Sequence, residues 1–346
     1  MRRTWLILAH PFNMDGRAAS HTITDRIPFL TARSIAPVVV SAPTGSLDRR
    51  FPHYRVFSPA PSGLLFELRQ VIEKRWSNAS TRRRLKTLLT IILAPPYVLE
   101  KLILPMGSQW SWFFTGTIWA LSAAKRHQPS LVYSTAGPSS THVAGWLTHL
   151  LTGLPWVAEV HDPLIPNVPS VRSYDYWFNL WIESRIFRCA DAIIYFTEKA
   201  RREACNRHNM WNKTFVIRPG AASVDFGKVS YVKRRKIHFA HFGSLAKDRN
   251  LSVVIRALYG FLKTNPSWQG HLKLHVYGGE LDTFSRKTLS DYPLDNVIVE
   301  HGRLEYNPIS GKSGRQQVLE AMRCCDVLIV LHGSNAEAQS YIPSKV

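Results

Sequence analysis

What most narrows the fold of this chain is an alternation. Short apolar runs ending in Gly-, Ser- or His-bearing loops are followed, again and again, by helical patterns. Such runs read as buried strands of a parallel sheet, and their alternation with helices builds βαβ units. In the first part of the chain, strands are expected at Thr4–Ala9, Pro37–Ala42, Ser130–Thr135, Pro155–His161, Ala192–Thr197 and Thr214–Arg218, with helices at Ser139–Leu151, Tyr174–Cys189 and Glu198–Arg207. The pattern lapses near 221–235, where Lys228, Lys233, Arg234 and Arg235 cluster, and restarts at Ile237. Further strands follow at Ile237–Gly243, Leu272–Tyr277, Val297–Glu300 and Val327–Leu331, with helices at Asn250–Thr264, Asp282–Ser290 and Gly314–Cys324. The expected fold class is α/β, two Rossmann-like domains in tandem: 1–220 with a helical insertion at about 62–126, a linker at 221–235, and 236–346.

With 346 residues the chain has room for two cores. Hydrophobic content of 45% and charged content of 20% fit a folded protein rather than a disordered one. The formal net charge of +20 calls for an anionic partner. Cys189, Cys205, Cys324 and Cys325 show no metal-ligand spacing, so reduced thiols of a cytosolic protein are expected. The start, Met1-Arg2-Arg3 and then Trp5 to Ala9, resembles a signal peptide, but its apolar core is too short and His10-Pro11 replaces a cleavage site. Leu102 to Ala124 is uncharged, yet Pro105, Gly107, Ser108 and Gln109 interrupt it, which argues against a membrane span.

Within the insertion, Arg82, Arg83, Arg84 and Lys86 precede the run Leu88-Leu89-Thr90-Ile91-Ile92-Leu93. A helix with a cationic face and an apolar face settles in a membrane interface, so these four are candidate contacts to an anionic membrane surface. The aromatic residues follow the basic run instead of interleaving with it, so no nucleic-acid partner is expected.

Four stretches carry the candidate chemistry. Gly16 sits in the turn after the first strand, where backbone amides can approach a ligand. Ser134 to His142 places hydroxyl residues at another strand end, with Ser139 expected as a helix N-cap. Glu159-Val160-His161-Asp162-Pro163 ends a buried strand with an imidazole between two acids, which suits a sugar hydroxyl or proton transfer. His241 to Leu251 follows a strand with Gly243 and Ser244, then Lys247 and Arg249, a combination suited to a diphosphate. Walker-type, full dinucleotide and zinc patterns are absent, which weighs against ATPase, dehydrogenase and metallohydrolase readings.

At these residues the chain resembles a GT-B glycosyltransferase of the large retaining family 4 used in bacterial polysaccharide synthesis. The resemblance is carried by Leu131 to Thr135, Trp156 to Pro163, Ala190 to Ile194, Val216 to Gly220, Phe242 to Leu245 with Arg249, and Tyr341 to Lys345. It implies a nucleotide-sugar donor on the second domain and a lipid-linked or glycan acceptor on the first. It also implies no cofactor, and a cytoplasmic protein peripheral to the inner face of the membrane. By the same resemblance His161 meets the donor sugar and Asp162 shapes its loop. Gly243, Ser244, Lys247 and Arg249 meet the diphosphate, and Ser344 and Lys345 begin the loop over the nucleotide. Family members carry two glutamates eight positions apart; Ser340 stands at the first and the second falls beyond Val346, so an incomplete second domain is expected. The rival readings are a catalytically inactive remnant acting as a membrane-associated interaction protein, and a sugar-nucleotide epimerase on the same scaffold.

Overall fold

The computed structural model describes residues 3–76, 78–135, 137–165, 173–220, 229–246, 248–294, 296–307, 309–333 and 340–341. They form two compact units, Met1–Ala222 and Ser223–Val346.

The first unit runs β1 (Arg3–Leu8), α1 (Ala18–Ala32), β2 (Ile35–Ser41), β3 (His53–Arg55), α2 (Pro61–Arg75), α3 (Ala79–Ile103) and α4 (Trp112–His127). It continues with β4 (Leu131–Thr135), α5 (Ser140–Thr152), β5 (Trp156–Val160), α6 (Tyr174–Cys189), β6 (Ala192–Tyr195), α7 (Glu198–His208) and β7 (Thr214–Val216). All seven strands are parallel, in the order β3-β2-β1-β4-β5-β6-β7. The direction of winding reverses between β1 and β4, and in such sheets ligands gather beyond the strand ends at that point. Side chains alternate across the sheet. Leu6 and Leu8 enter one core, with Trp112, Ala120, Val143, Ile182 and Ile186 from the helices; Ile7 and Ala9 enter the other, with Ile23 and Ile27 of α1. Both faces of β1 are covered along its second half, which is why its sequence is apolar from Trp5 onward rather than alternating.

Local chemistry sets the helix starts. Ser173 accepts from the Tyr176 amide, Thr197 from that of Ala200, and Asn78 from those of Ser80 and Thr81. Ser139 occupies the N-cap position of α5, but its side chain does not cap: the hydroxyl bonds Asn179 of α6 instead. That bond ties two helices together, a use of the residue that local sequence does not disclose.

The insertion is a hairpin of α2 and α3 followed by α4. Glu100 bolts it together, accepting from the Ser62 amide at 2.7 Å and the Trp110 indole at 2.8 Å. In α3, 25 residues long, no side chain is buried, and Pro95 and Pro96 lie inside the helix. Leu88, Ile91, Ile92, Val98, Leu99, Leu102 and Ile103 are all exposed along one stripe. Among the described residues no helix is long and apolar enough to cross a membrane.

The second unit runs β8 (Ile237–Phe242), α8 (Ser252–Thr264), β9 (Leu272–Tyr277), α9 (Thr283–Asp291), β10 (Ile298–Gly302), α10 (Gly314–Arg323) and β11 (Val327–Ile329). Its four described strands are parallel, ordered β10-β9-β8-β11, which repeats the β1-to-β4 reversal of the first sheet between β8 and β11. Ile255, Leu258 and Leu262 of α8 pack on Leu272, Leu274 and Val276 to form its core.

Candidate active site

In the first unit, α1 and the ends of β4 and β5 bring polar groups together. Glu159 of β5 is fully buried, and a lone buried carboxylate is costly unless it is paired and hydrogen-bonded. Here it is both. Its Oε1 accepts from the Thr135 hydroxyl at 2.6 Å and from His161 Nε2 at 2.7 Å; its Oε2 accepts from the Tyr133 hydroxyl at 2.6 Å and from Arg26 of α1. Burial alone raises a carboxyl pKa, but the His161 hydrogen bond and charge, the Arg26 charge and the Thr135 hydroxyl outweigh it and hold Glu159 well below the usual range. The His161 ring, 9% exposed, stacks on Phe196 with centroids 4.2 Å apart. Asp162 reaches solvent, and protein crowded around it pushes its carboxyl up despite the His161 charge. The carboxylate bonded to His161 is therefore the acid two residues before it, not the one beside it.

A second buried imidazole, His10 at the end of β1, lies 3.2 Å from Glu67 of α2, whose carboxylate also accepts from the Ser58 amide and hydroxyl. This pair joins the inserted hairpin to the strand at the sheet's reversal point. His142 of α5 is buried against Ser134, and burial pushes its pKa down to about 3, so it is a neutral core residue at physiological pH.

In the second unit, a concavity opens where β8 and β11 end. Gly243, Ser244 and Arg249 line it, with His241 and Phe242 on β8, Leu328 and Ile329 on β11, and Val330 and Leu331 just after it. The backbone comes unusually close here: a side chain on Gly278 would meet the Gly243 carbonyl at 2.8 Å, and Gly278 has a φ of 104°. Ala246 and Arg249 exchange backbone hydrogen bonds of 3.0 and 2.9 Å, closing a tight turn. That turn carries the exposed Arg249 guanidinium to the rim.

A family model described as a glycosyl transferase 4-like domain matches residues 46–220, half of the chain. The chain belongs to the glycosyl transferase 4-like family. Comparison with curated proteins gives no match. Among solved structures, Anabaena HepE with UDP and glucose bound matches with a TM-score of 0.54 at 14% identity, over 97% of this chain and 76% of that one. Sucrose-phosphate synthase from Thermosynechococcus elongatus matches with a TM-score of 0.53 at 12% identity, over 95% and 75% of the two chains. The α,α-trehalose 6-phosphate synthase of Burkholderia multivorans gives 0.52 at 10% identity, over 99% and 81%. The shared feature is the fold, GT-B, with two Rossmann-like domains in tandem.

On this glycosyl transferase 4-like scaffold the sequence candidates separate into groups. Gly243, Ser244 and Arg249 line one concavity. His161 joins the Glu159 network, and Asp162 adjoins it in the chain. Gly16 is an exposed turn residue with a φ of 71° between β1 and α1, in the other unit from Gly243. Lys247, Ser344 and Lys345 lie outside the described residues. Of the four basic candidates on α3, Arg83 and Arg84 are exposed, whereas Arg82 and Lys86 pair with Glu73 of α2. Arg26 was not singled out from sequence, and Tyr133 and Thr135 were not tied to Glu159, because the three meet it only through sheet pairing and the packing of α1.

Proposed function

We propose that this chain transfers a hexose-type unit from a nucleotide-sugar donor to a lipid-linked or glycan acceptor, with retention at the anomeric carbon, in bacterial polysaccharide synthesis. The observation that carries this reading is the concavity at the β8–β11 reversal, with Gly243, Ser244 and Arg249 on its wall. A diphosphate leaving there meets backbone amides and the Arg249 guanidinium, which neutralise its charge without a metal cofactor. HepE, of the same fold, is described with UDP and glucose. Gly16, Lys247, Ser344 and Lys345 complete the donor-binding side of the proposal, and His161 and Asp162 are its catalytic residues, from the first domain. The proposed domains are 1–220 and 236–346, joined by 221–235.

The proposal places the enzyme in the cytoplasm at the inner membrane face. The exposed apolar stripe of α3, flanked by exposed Arg83 and Arg84, supports this, as does a net charge of +20. Liposome flotation tests it: vesicles containing anionic lipid should carry the protein up, and Arg83→Glu with Arg84→Glu should release it. Binding to neutral vesicles alone, or to none, would overturn the electrostatic account. For the donor, calorimetry with UDP-, GDP- and ADP-glucose should give binding to one of them. Silence across all three, with flotation intact, would replace sugar transfer by a non-catalytic membrane-associated role.

A further inference from the structure

We propose that Glu159 is the positioning residue for His161 and dictates which ring nitrogen carries the proton. This role rests on the sugar-transfer reading for the use of the ring, but its geometry can be tested without any substrate.

Glu159 and His161 are two residues apart at the end of a strand, so their side chains leave it on the same side. Thr135 has one hydroxyl proton, and it goes to Glu159 Oε1 at 2.6 Å. Toward His161 Nε2, 3.0 Å away, the Thr135 oxygen can then only accept. Glu159 Oε1, 2.7 Å from the same nitrogen, is also an acceptor. Two acceptors face Nε2, so Nε2 bears a hydrogen, and in the neutral ring the lone pair sits on Nδ1. Arg26 and Tyr133 donate to the other carboxylate oxygen, and Glu159 therefore stays anionic and does not take the ring's proton. Phe196, stacked on the ring, keeps it from turning. The outcome is a histidine presenting Nδ1 as an acceptor of fixed direction, suited to a sugar hydroxyl or to a proton released during transfer.

A purely structural role, in which the cluster only ties α1, β4 and β5 together, makes a different prediction for Glu159→Gln. The donors Arg26 and Tyr133 require the amide oxygen on their side, which turns the amide NH2 toward Thr135 and His161. Nε2 then faces a donor and becomes the acceptor, so the proton moves to Nδ1. The experiment is two-bond nitrogen–hydrogen correlation NMR on protein labelled with nitrogen-15 histidine, with His161→Gln identifying the resonance. With the ring neutral, the wild type should show Nε2–H alone, and with the ring charged both nitrogens carry hydrogen, so the spectrum is read on the alkaline side of the ring's titration. Glu159→Gln should show Nδ1–H with its circular dichroism unchanged, and Glu159→Asp should keep Nε2–H.

In turnover, Glu159→Gln should lower kcat by roughly 10²–10⁴, the range of a lost acid–base group, while calorimetric affinity for the nucleotide sugar stays the same. A wild-type ring protonated on Nδ1, or a tautomer that Glu159→Gln leaves in place, would overturn the positioning role. Inversion of the tautomer alongside a silent donor titration would uphold the positioning and overturn the sugar-transfer reading instead.

Discussion

At the strand ends of the first sheet the polar atoms are side chains, buried and bonded to one another; at those of the second, backbone and a solvent-facing cation join the side chains of His241 and Ser244. Glu159 touches four partners drawn from α1, β4 and the turn after β5. Arg249 stands exposed on a turn whose shape depends on backbone bonds and glycines. The contrast separates two ways of making a site. A buried network fixes the direction of one ring and is destabilised as a unit when any member goes. An open glycine-lined rim leaves its donors to the ligand, and its cation can be removed with little loss of fold.

The largest effect expected from that contrast is Glu159→Ala, which removes a fully buried carboxylate and leaves the half-buried Arg26 without its partner. Breaking a buried pair in this way costs ~3–5 kcal/mol. Urea unfolding followed by tryptophan fluorescence reads the first unit, since every tryptophan except Trp268 lies there. An equal loss from Arg249→Ala would erase the distinction between the two sites.

The same carboxylate makes the first unit acid-sensitive. Its pKa is lowered on folding from 4.5 to about 2. The stabilisation is therefore complete above 4.5 and drains away as pH falls toward the folded value. Melting temperature followed by circular dichroism should drop across that window in the wild type, and much less in Glu159→Gln. A flat profile in the wild type would show that the network carries no charge.

Next in size, Arg249→Ala should weaken nucleotide-sugar binding by roughly 10- to 100-fold, the worth of a hydrogen bond to a charged group, with the melting temperature unchanged. Gly278→Ala should cost ~1–2 kcal/mol of stability, because a side chain is forced into a left-handed conformation against the Gly243 carbonyl. If Gly278→Ala left donor binding intact, the backbone approach at Gly243 would be irrelevant to the ligand. Smallest of all, Arg82→Ala should change stability by less than ~1 kcal/mol, as its pair with Glu73 is partly exposed. Its effect on vesicle flotation should be weaker than that of Arg84→Ala, because Arg82 is already engaged.

Much of the fold was legible because parallel strands buried on both faces are written largely as apolar runs, as in β1, β2, β4 and β5, while β8 sets His238 and His241 among its apolar residues. The three-residue β3, His53-Tyr54-Arg55, has no such run and was missed; only its pairing with Val39 to Ser41 makes it a strand. The helices α2 to α4 were readable as a basic, apolar insertion, but not the pairing of Arg82 and Lys86 with Glu73, which depends on the hairpin closing. At the candidate site, His161 stood out as an imidazole at a strand end. The sequence offered it two acids, Glu159 and Asp162, and the structure bonds it to Glu159, the one that two-residue periodicity puts on the same side of the strand. Arg26 carries no local sign at all, for nothing in a helix sequence tells which strand its side chain will cross.

The prolines of α3 bear on how deep that helix can sit. Without N–H groups, Pro95 and Pro96 leave the carbonyls of Ile91 and Ile92 without their helical donors, on the very side where the aliphatic side chains lie. Oxygen atoms in that condition tolerate oil badly and must keep contact with water or lipid headgroups. On the proposed membrane-surface reading, such a helix floats like a keel-less raft: greasy enough to stay at the boundary, too thirsty at its midpoint to sink.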